Sequence, residues 1–395
     1  MNLILFDNHR TSYYPLSFTR PIAYFRVGIL TIKEKWLFFY KSVSVQTEDY
    51  LSNKFSVTKL DDNLWVNAKI LPTKELVIEL NSLRKGESLF HDGKLIGFRN
   101  NIFNAKKLNK IDSNISFTSI DSLSDIFKYN GEEIKNDFNL MFPLKSKLKW
   151  QGSLKELDKI KKENIKIGNN SIYIEQGAKL NHCILNTNDG PIYIGKNAEI
   201  MEGSMIRGPF AMLENSVLKM GSKIYGSTTL GPYCKVGGEV NNTVFFGYSS
   251  KAHDGFLGNS VIGEWCNLGA DTNNSNLKNN YAEVKLWDYS MHKFNNTGLQ
   301  FCGLIMGDHS KSAINTMFNT GTVVGVSANI FGSGFPRNFI PSFTWGGYSG
   351  SSVFKLSKAF EVAEKVFFRR KRNFDQFEKD ILTHVYNMTK RYRNE

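Results

Sequence analysis

Two periods of apolar positions divide the chain. Over residues 1–140, short apolar runs alternate with polar stretches of helical spacing. Residues 3–6, 64–66 and 115–117 read as strands, and residues 31–41 and 74–84 as helices. Strands alternating with helices predict a layered α/β domain. Residues 145–164 are Lys-rich and amphipathic at helical spacing, which predicts a helical connector. From residue 165 a period of six takes over. Ile194-Gly195-Lys196-Asn197-Ala198, Leu230-Gly231-Pro232-Tyr233-Cys234, Ile262-Gly263-Glu264-Trp265-Cys266 and Val324-Gly325-Val326-Ser327-Ala328 share one form. An aliphatic residue leads and a small residue follows four positions later. Stacked on neighbouring coils, every sixth aliphatic side chain fills a narrow core, and the glycine eases the chain through each corner. This hexapeptide signature predicts a parallel β-helix.

The period breaks at residues 273–300, a polar, Asn-rich stretch expected to be expelled from the coils. Long insertions of this kind are often functional. Beyond it, Leu356, Phe360, Ala363, Phe367, Phe374, Phe377, Ile381, Val385 and Met388 step by three, four and seven. They predict one or two amphipathic helices, placed to cover the open edge of the last coil. The domain reading is therefore 1–144 α/β, 145–164 helical connector, 165–350 β-helix and 351–395 C-terminal helices.

Composition narrows the setting. No apolar run reaches the roughly 18 residues of a membrane-spanning helix, and the first residues lack the layout of a signal peptide. Four separated cysteines form no metal-ligand spacing and read as small core residues in a reducing cytoplasm. A formal net charge of +13 favours anionic partners. The run Arg369-Arg370-Lys371-Arg372 lacks interleaved aromatics, and nucleic-acid motifs are absent, so small phosphorylated molecules are expected in place of nucleic acid. That run reads first as a solvated face or an intersubunit contact, and second as a phosphate site.

The richest candidate chemistry is Ser249-Ser250-Lys251-Ala252-His253-Asp254-Gly255-Phe256-Leu257-Gly258, between regular coils and just before the insertion. A lone histidine is more often structural. This one lies between regular coils and close to the expelled loop, which favours function, and a neutral imidazole is able to take a proton from an amine as it attacks a thioester. His182 lies in an early coil, His292 in the insertion, and His309 is its rival.

The segment resembles the acetyltransferase half of the bifunctional GlmU family, in which Ser-Lys-x-x-His-x-x-x-Leu-Gly precedes two hexads and an Asn-containing loop. KAHDGFLG, IGEWCNLGADTNNSNLKNN and GDHSKSAINTMFNTGTVVGVSANIF resemble the variant of that family typical of Bacteroidetes, labelled putative sugar nucleotidyltransferases. The resemblance implies a left-handed parallel β-helix, a homotrimer with sites between subunits, and acetyl-CoA as donor. It implies His253 as base on glucosamine 1-phosphate, Asn267 and Asn276 as acceptor contacts, and Ala270 near acetyl-CoA. Phe256 stands where the family has Tyr. Ile224 and Asn242 stand where Arg and Lys hold the sugar phosphate; Lys223, Lys251, Lys278 and Arg207 are the substitutes in view, with Lys251 favoured.

Pro15-Leu16-Ser17-Phe18-Thr19-Arg20-Pro21 and Arg26-Val27-Gly28 resemble the motif stretch of sugar-1-phosphate nucleotidyltransferases. That resemblance implies UTP-dependent nucleotidyl transfer with Mg²⁺, for which Arg20, Arg26 and Lys33 are the candidate phosphate binders. The loop Asp7-Asn8-His9-Arg10-Thr11 has no glycine, and Lys69 stands where a metal-binding Asp is expected. The expected function is thus an amino-sugar transferase of UDP-N-acetylglucosamine synthesis. Its alternatives are an acyltransferase with a non-catalytic front module, and a trimeric scaffold for anionic partners.

Overall fold

A computed structural model describes residues 2–105, 108–142, 148–150 and 154–393. The expected boundary at residue 144 lies outside the described residues. The chain forms two compact units that do not follow linear order. The first comprises Met1–Tyr13, Thr19–Phe25 and Leu30–Ser122; Tyr14–Phe18, Arg26–Ile29 and Leu123–Glu395 make up the second.

The first unit is built on one sheet: β1 (Asn2–Phe6), β2 (Val43–Gln46), β3 (Asn63–Asn67), β4 (Glu87–His91), β5 (Lys94–Asn100) and β6 (Asn109–Asp112), in the order β2-β1-β3-β5-β4-β6. The first three strands run parallel, and β1 and β3 are buried along their length, as strands covered on both faces require. Its helices start where capping chemistry allows. Thr31 and Glu34 form a reciprocal capping box for Ile32–Leu37, and Thr73 caps Lys74–Ser82. The strand expected at 115–117 is absent. Just beyond it Ser119 makes an isolated bridge to Ile70, and Phe117 packs edge-on against His91 at 5.1 Å, with Ile115 and Phe117 both half-buried.

The second unit is a parallel β-solenoid with a helical tail. Most coils contribute three short strands, two of which merge in Glu239–Gly247 and Phe256–Glu264, and like strands stack in register. Glu199 pairs with Val217 and Val217 with Lys235, a step of 18 residues, or three hexads. On the second strand of each coil, Leu180, Ile200, Leu218 and Val236 form one column of the buried core. All four cysteines are free and buried, and burial pushes each thiol up to about 12. Of the residues expected in the connector, Leu154–Glu163 is a helix, whereas Leu148–Trp150 already pairs with the solenoid strand Ile172–Ile174.

Between strands lie three columns of corners. At the first, Asn197, Asn215, Tyr233, Tyr248, Trp265, His309, Ser327 and Phe343 all take positive φ. Bulky residues there are strained, and stacking offsets the strain. Tyr248 and Trp265 stack at 4.2 Å, and Phe367 of the tail helix Leu356–Arg369 lies flat on Trp265 at 3.9 Å and parallel to His309 at 6.0 Å. The tail helix thus docks along this column. At the end of the solenoid, the edge strand Thr344–Gly347 is paired by the antiparallel strand Gly350–Val353.

The coils are irregular around the candidate chemistry. Lys235 pairs with Ser250 and Ser250 with Asn267, steps of 15 and 17, and Asn267 then pairs with Lys311, a step of 44. The last step holds an insertion of 26 residues. Asn273 and Asn274 still pair with Met317 and Phe318, so the expelled segment starts later than 273. Its neck closes at the bridge between Leu277 and Phe301, and it carries an antiparallel hairpin, Lys285–Asp288 with Lys293–Asn296. No helix among the described residues is long and apolar enough to cross a membrane.

Candidate functional site

His253 sits at the second corner of its coil, and a shortened coil beneath it shapes the setting. Val236 and Val240 are four residues apart, whereas Lys251 and Leu257, which pair with or follow them in register, are six apart. Gly237 and Gly238 make that short corner. A Cβ on Gly238 would meet the Asp254 backbone at 2.8 Å, so the coils touch there with no room for a side chain.

Lys251 occupies the core column itself, paired with Val236 where the coils before it place Leu, Ile or Val, and is 1 % exposed. Its ammonium turns to the corner, donating to the carbonyls of Gly237 at 3.0 Å and His253 at 2.9 Å. Burial lowers its pKa to about 8, against the pull of Asp254 and Asp271. Lys251, expected as an acceptor contact, is thus placed as an internal strut beneath His253.

Further backbone bonds pin the corner. The Asp254 carbonyl accepts from Asp271 N at 3.0 Å, Phe256 N donates to Asn273 Oδ1 at 2.7 Å, and Gly258 N donates to Asn274 Oδ1 at 2.9 Å. Gly255, at φ +115°, lies so close to Thr272 that a Cβ would strike its carbonyl oxygen. On this rigid loop the His253 side chain is exposed, and no described side chain hydrogen-bonds its imidazole. His309 has the opposite setting: 7 % exposed and packed beside the Trp265–Phe367 stack, roughly parallel to both rings.

Phe256 and Asn276 converge beyond His253. A Cβ on Gly258 would meet the Phe256 ring at 2.5 Å and the Asn276 amide at 2.7 Å, so both side chains close over one backbone step. Asn276 Nδ2 also donates to Asn259 Oδ1 at 2.8 Å. The structure thus places His253, Phe256 and Asn276 along one corner and the strand that follows it. Asn267 is exposed on the strand before that corner, and Ala270 is half-buried at the corner itself. One chain presents Asn267 and Asn276 on opposite sides of a corner.

Of the other candidate cations, Lys223 shares a column with Glu239 and Phe256, separated from Phe256 by the Glu239 coil. Arg207 pairs with Asn186 further down, and Lys278 belongs to the insertion. Sequence reasoning missed Asn273 and Asn274, which bond the backbone on either side of Phe256. Their polar side chains in a strand that still pairs were the available signal.

In the first unit, the loop after β1 is closed by its own side chains. Asp7 Oδ1 accepts from Ile22 N at 2.9 Å, Oδ2 accepts from Thr47 Oγ1 at 2.6 Å, and Arg10 Nε lies 3.2 Å from the same carboxylate, both side chains being 4 % exposed. Burial pushes the Asp7 carboxyl above its ordinary value, in spite of Arg10. Arg20 is buried, and its carbonyl accepts from Arg10 Nη2 at 3.4 Å. Lys33 Nζ donates to Tyr24 Oη at 3.0 Å. Arg26, in the second unit, is buried and donates to the Ile29 carbonyl. The motif segment Tyr14–Phe18 also belongs to that unit, where the Tyr14 and Phe18 rings meet Tyr289 edge-on at 5.8 and 5.3 Å. Lys69 pairs with Asp121 at 2.5 Å. Burial would raise the Asp121 carboxyl, but Lys69 and Lys94 hold it below its ordinary value. The residues present do not fit a Mg²⁺ site: the ammonium of Lys69 stands where a metal-binding carboxylate is expected and pairs with Asp121, and no cluster of three His, Cys, Asp or Glu among the described residues suits a metal.

Residues 3–143 match a protein family described as sugar nucleotidyl transferase. Among solved structures, the chain is similar to a hexapeptide transferase family protein from Anaplasma phagocytophilum, at 12% identity and a TM-score of 0.11, over 61% of this chain and 92% of that one. No curated protein matches the sequence.

Proposed function

We propose that the solenoid is an acyltransferase with His253 as its general base. The acceptor is the amine of a hexosamine 1-phosphate, glucosamine 1-phosphate first among them, and the donor is acetyl-CoA. As the amine nitrogen bonds to the thioester carbonyl carbon, the His253 imidazole takes the amine proton. The carbon–sulfur bond then breaks, and the CoA thiolate leaves and takes up a proton. The observation that carries this reading is the exposed imidazole on a pinned corner, followed by Phe256 and Asn276 at the neck of the insertion. A base held by a rigid backbone loses little orientation entropy in the reaction. Asn276 and Asn267 contact the acceptor and Ala270 lies near the thioester. Because Asn267 and Asn276 flank a corner, a homotrimer that sets one chain's corner against the next chain's face would complete each site.

The N-terminal match supports a protein of sugar-nucleotide metabolism. Two readings of that unit stand: UTP-dependent nucleotidyl transfer to the sugar 1-phosphate, or a non-catalytic sugar-nucleotide-binding module. The Asp7–Arg10 pair within the loop and the Lys69–Asp121 pair favour the binding module, and no step is drawn through Mg²⁺.

One assay separates these readings. The protein is supplied with acetyl-CoA, glucosamine 1-phosphate, UTP and Mg²⁺, and thiol and pyrophosphate release are followed separately. Thiol release that depends on the amino sugar supports the acyltransferase; its absence across a panel of amino-sugar phosphates rejects it.

A further inference from the structure

The insertion carries a second concave surface, apart from the residues around His253. Its floor is aromatic. Trp287 of the hairpin stacks on Phe339 with centroids 4.3 Å apart and planes 13° apart, and Phe294 meets Trp287 edge-on at 5.3 Å. Tyr289 and Tyr392 brace Phe339 edge-on at 5.4 and 5.8 Å, so the floor is preorganised. The cavity, about 590 Å³, is also lined by Lys278, Lys285 and Arg337. The Lys278 ammonium donates to the Glu283 carbonyl at 2.7 Å, and none of the three cations has a carboxylate partner among the described residues.

We propose that this cavity binds a nucleoside diphosphate group, the base on the aromatic floor and the phosphates on Lys278, Lys285 and Arg337. The volume suits a ligand of nucleotide size. A purely apolar ligand would leave three cations unmatched, and a bare anion would leave the aromatic floor in water. A second copy of this chain fits poorly, because the chain carries a net charge of +13 and the rim of this cavity is itself cationic. Flat bases stack on aromatic rings whatever their identity, and guanidinium and ammonium groups match phosphate oxygens. The polar lining offers little to read a base edge, since Asn338 Nδ2 is committed to the Thr320 carbonyl at 2.7 Å. The site therefore selects for phosphates more than for the base. Such a group occurs in a free or sugar-linked nucleotide and, with a further 3′-phosphate, in the adenosine 5′-diphosphate end of CoA, for which adenosine 3′,5′-bisphosphate is the truncated probe.

Calorimetric titration of the full chain with UDP, adenosine 3′,5′-bisphosphate, uridine and pyrophosphate tests the proposal. At least one nucleoside bisphosphate or diphosphate should bind, with uridine and pyrophosphate each weaker by roughly tenfold or more. Lys285→Ala, Arg337→Ala and Phe294→Ala, all at exposed side chains, should each weaken nucleotide binding by roughly tenfold and leave the melting temperature unchanged. Tighter binding of UDP assigns the site to a uridine nucleotide, tighter binding of the bisphosphate assigns it to CoA, and equal binding supports the shared chemistry. Pyrophosphate binding as tightly as the nucleotides, or nucleotide binding indifferent to all three substitutions, would overturn it. So would absent nucleotide binding together with a sedimentation change in the Lys285→Ala/Arg337→Ala chain, which would make the surface a subunit contact.

Discussion

The loop after β1 and the corner at His253 both carry residues that resemble a transferase motif, and they treat those residues in opposite ways. After β1, the side chains are turned inward on one another: Asp7 on Arg10, Thr47 and the Ile22 amide, Lys33 on Tyr24. At the corner, the inward work is done by Lys251 and the asparagines, and the imidazole of His253 is left exposed on a fixed backbone. Motif letters alone do not distinguish the cases. What distinguishes them is whether the protein has already used the hydrogen-bonding capacity that the chemistry would need.

The sharpest way to break this contrast is at the two histidines. His253→Ala should lower acetyl transfer by about 10²–10⁴-fold, the range for losing a general base, with the melting temperature unchanged because the side chain is exposed. His309→Ala should do the reverse. It removes a buried ring packed beside the Trp265–Phe367 stack and should cost about 1–3 kcal/mol of stability, with turnover per folded molecule preserved. Near-normal turnover of His253→Ala in a chemistry-limited assay would remove the corner from the mechanism.

In the first unit the expected effect is on stability. Arg10→Met leaves the buried Asp7 carboxylate without its cation and should cost about 3–5 kcal/mol in denaturant unfolding. Asp7→Asn combined with Arg10→Met should recover part of that loss, as a double-mutant cycle for a coupled pair does. If wild-type protein instead releases pyrophosphate from UTP with a sugar 1-phosphate, and Arg20→Ala abolishes this, the inward-turned side chains come free in turnover and the contrast between the two regions fails.

The solenoid was legible because its period is local: each hexad carries its own aliphatic core residue, and coils stack by repeating it. The α/β class of the first unit was legible for a similar reason. The β4–β5 hairpin has a readable signal, Asp92-Gly93, both at positive φ. Three features needed the fold. The shortened coil at Gly237-Gly238 breaks no hexad phrase, and only register reveals it. Lys251 reads as a polar position, yet pairing with Val236 puts it in the core. The aromatic column at the first corner is spread over residues 233–343 and closed by Phe367 from the tail, a contact between distant segments.

Lys251 also predicts a pH dependence. Its pKa is about 8 in the folded protein against 10.5 for an ordinary lysine, so between those values the unfolded chain binds more protons than the folded one. Stability should therefore rise as pH increases from 8 to 10.5, and the rise due to this residue should be about 3 kcal/mol at most. Lys311, whose ammonium bonds the His309 carbonyl at 2.7 Å and is likewise lowered to about 8 by burial, adds in the same direction. Lys251→Met should remove its share of the alkaline rise. An unchanged slope would mean that the ammonium is not buried in solution, and the strut under His253 would be lost with it.

The smallest expected effect tests how finely the corner is tuned. Phe256 closes over Gly258 beside Asn276, where the GlmU-like pattern has a Tyr. The ring is half-buried, so an added hydroxyl has space toward solvent and need not displace the packed edge. Phe256→Tyr should leave stability within about 0.5 kcal/mol, as a substitution at a partly exposed position does. If the acceptor is a sugar 1-phosphate that this hydroxyl can reach, one neutral hydrogen bond is worth about 0.5–1.5 kcal/mol, which lowers the acceptor KM by roughly two- to tenfold with kcat little changed. The KM for acetyl-CoA should not move. A fall in kcat instead would place Phe256 against the reacting atoms, and an unchanged acceptor KM would mean that the acceptor lies on the Asn267 side of the corner, away from Asn276.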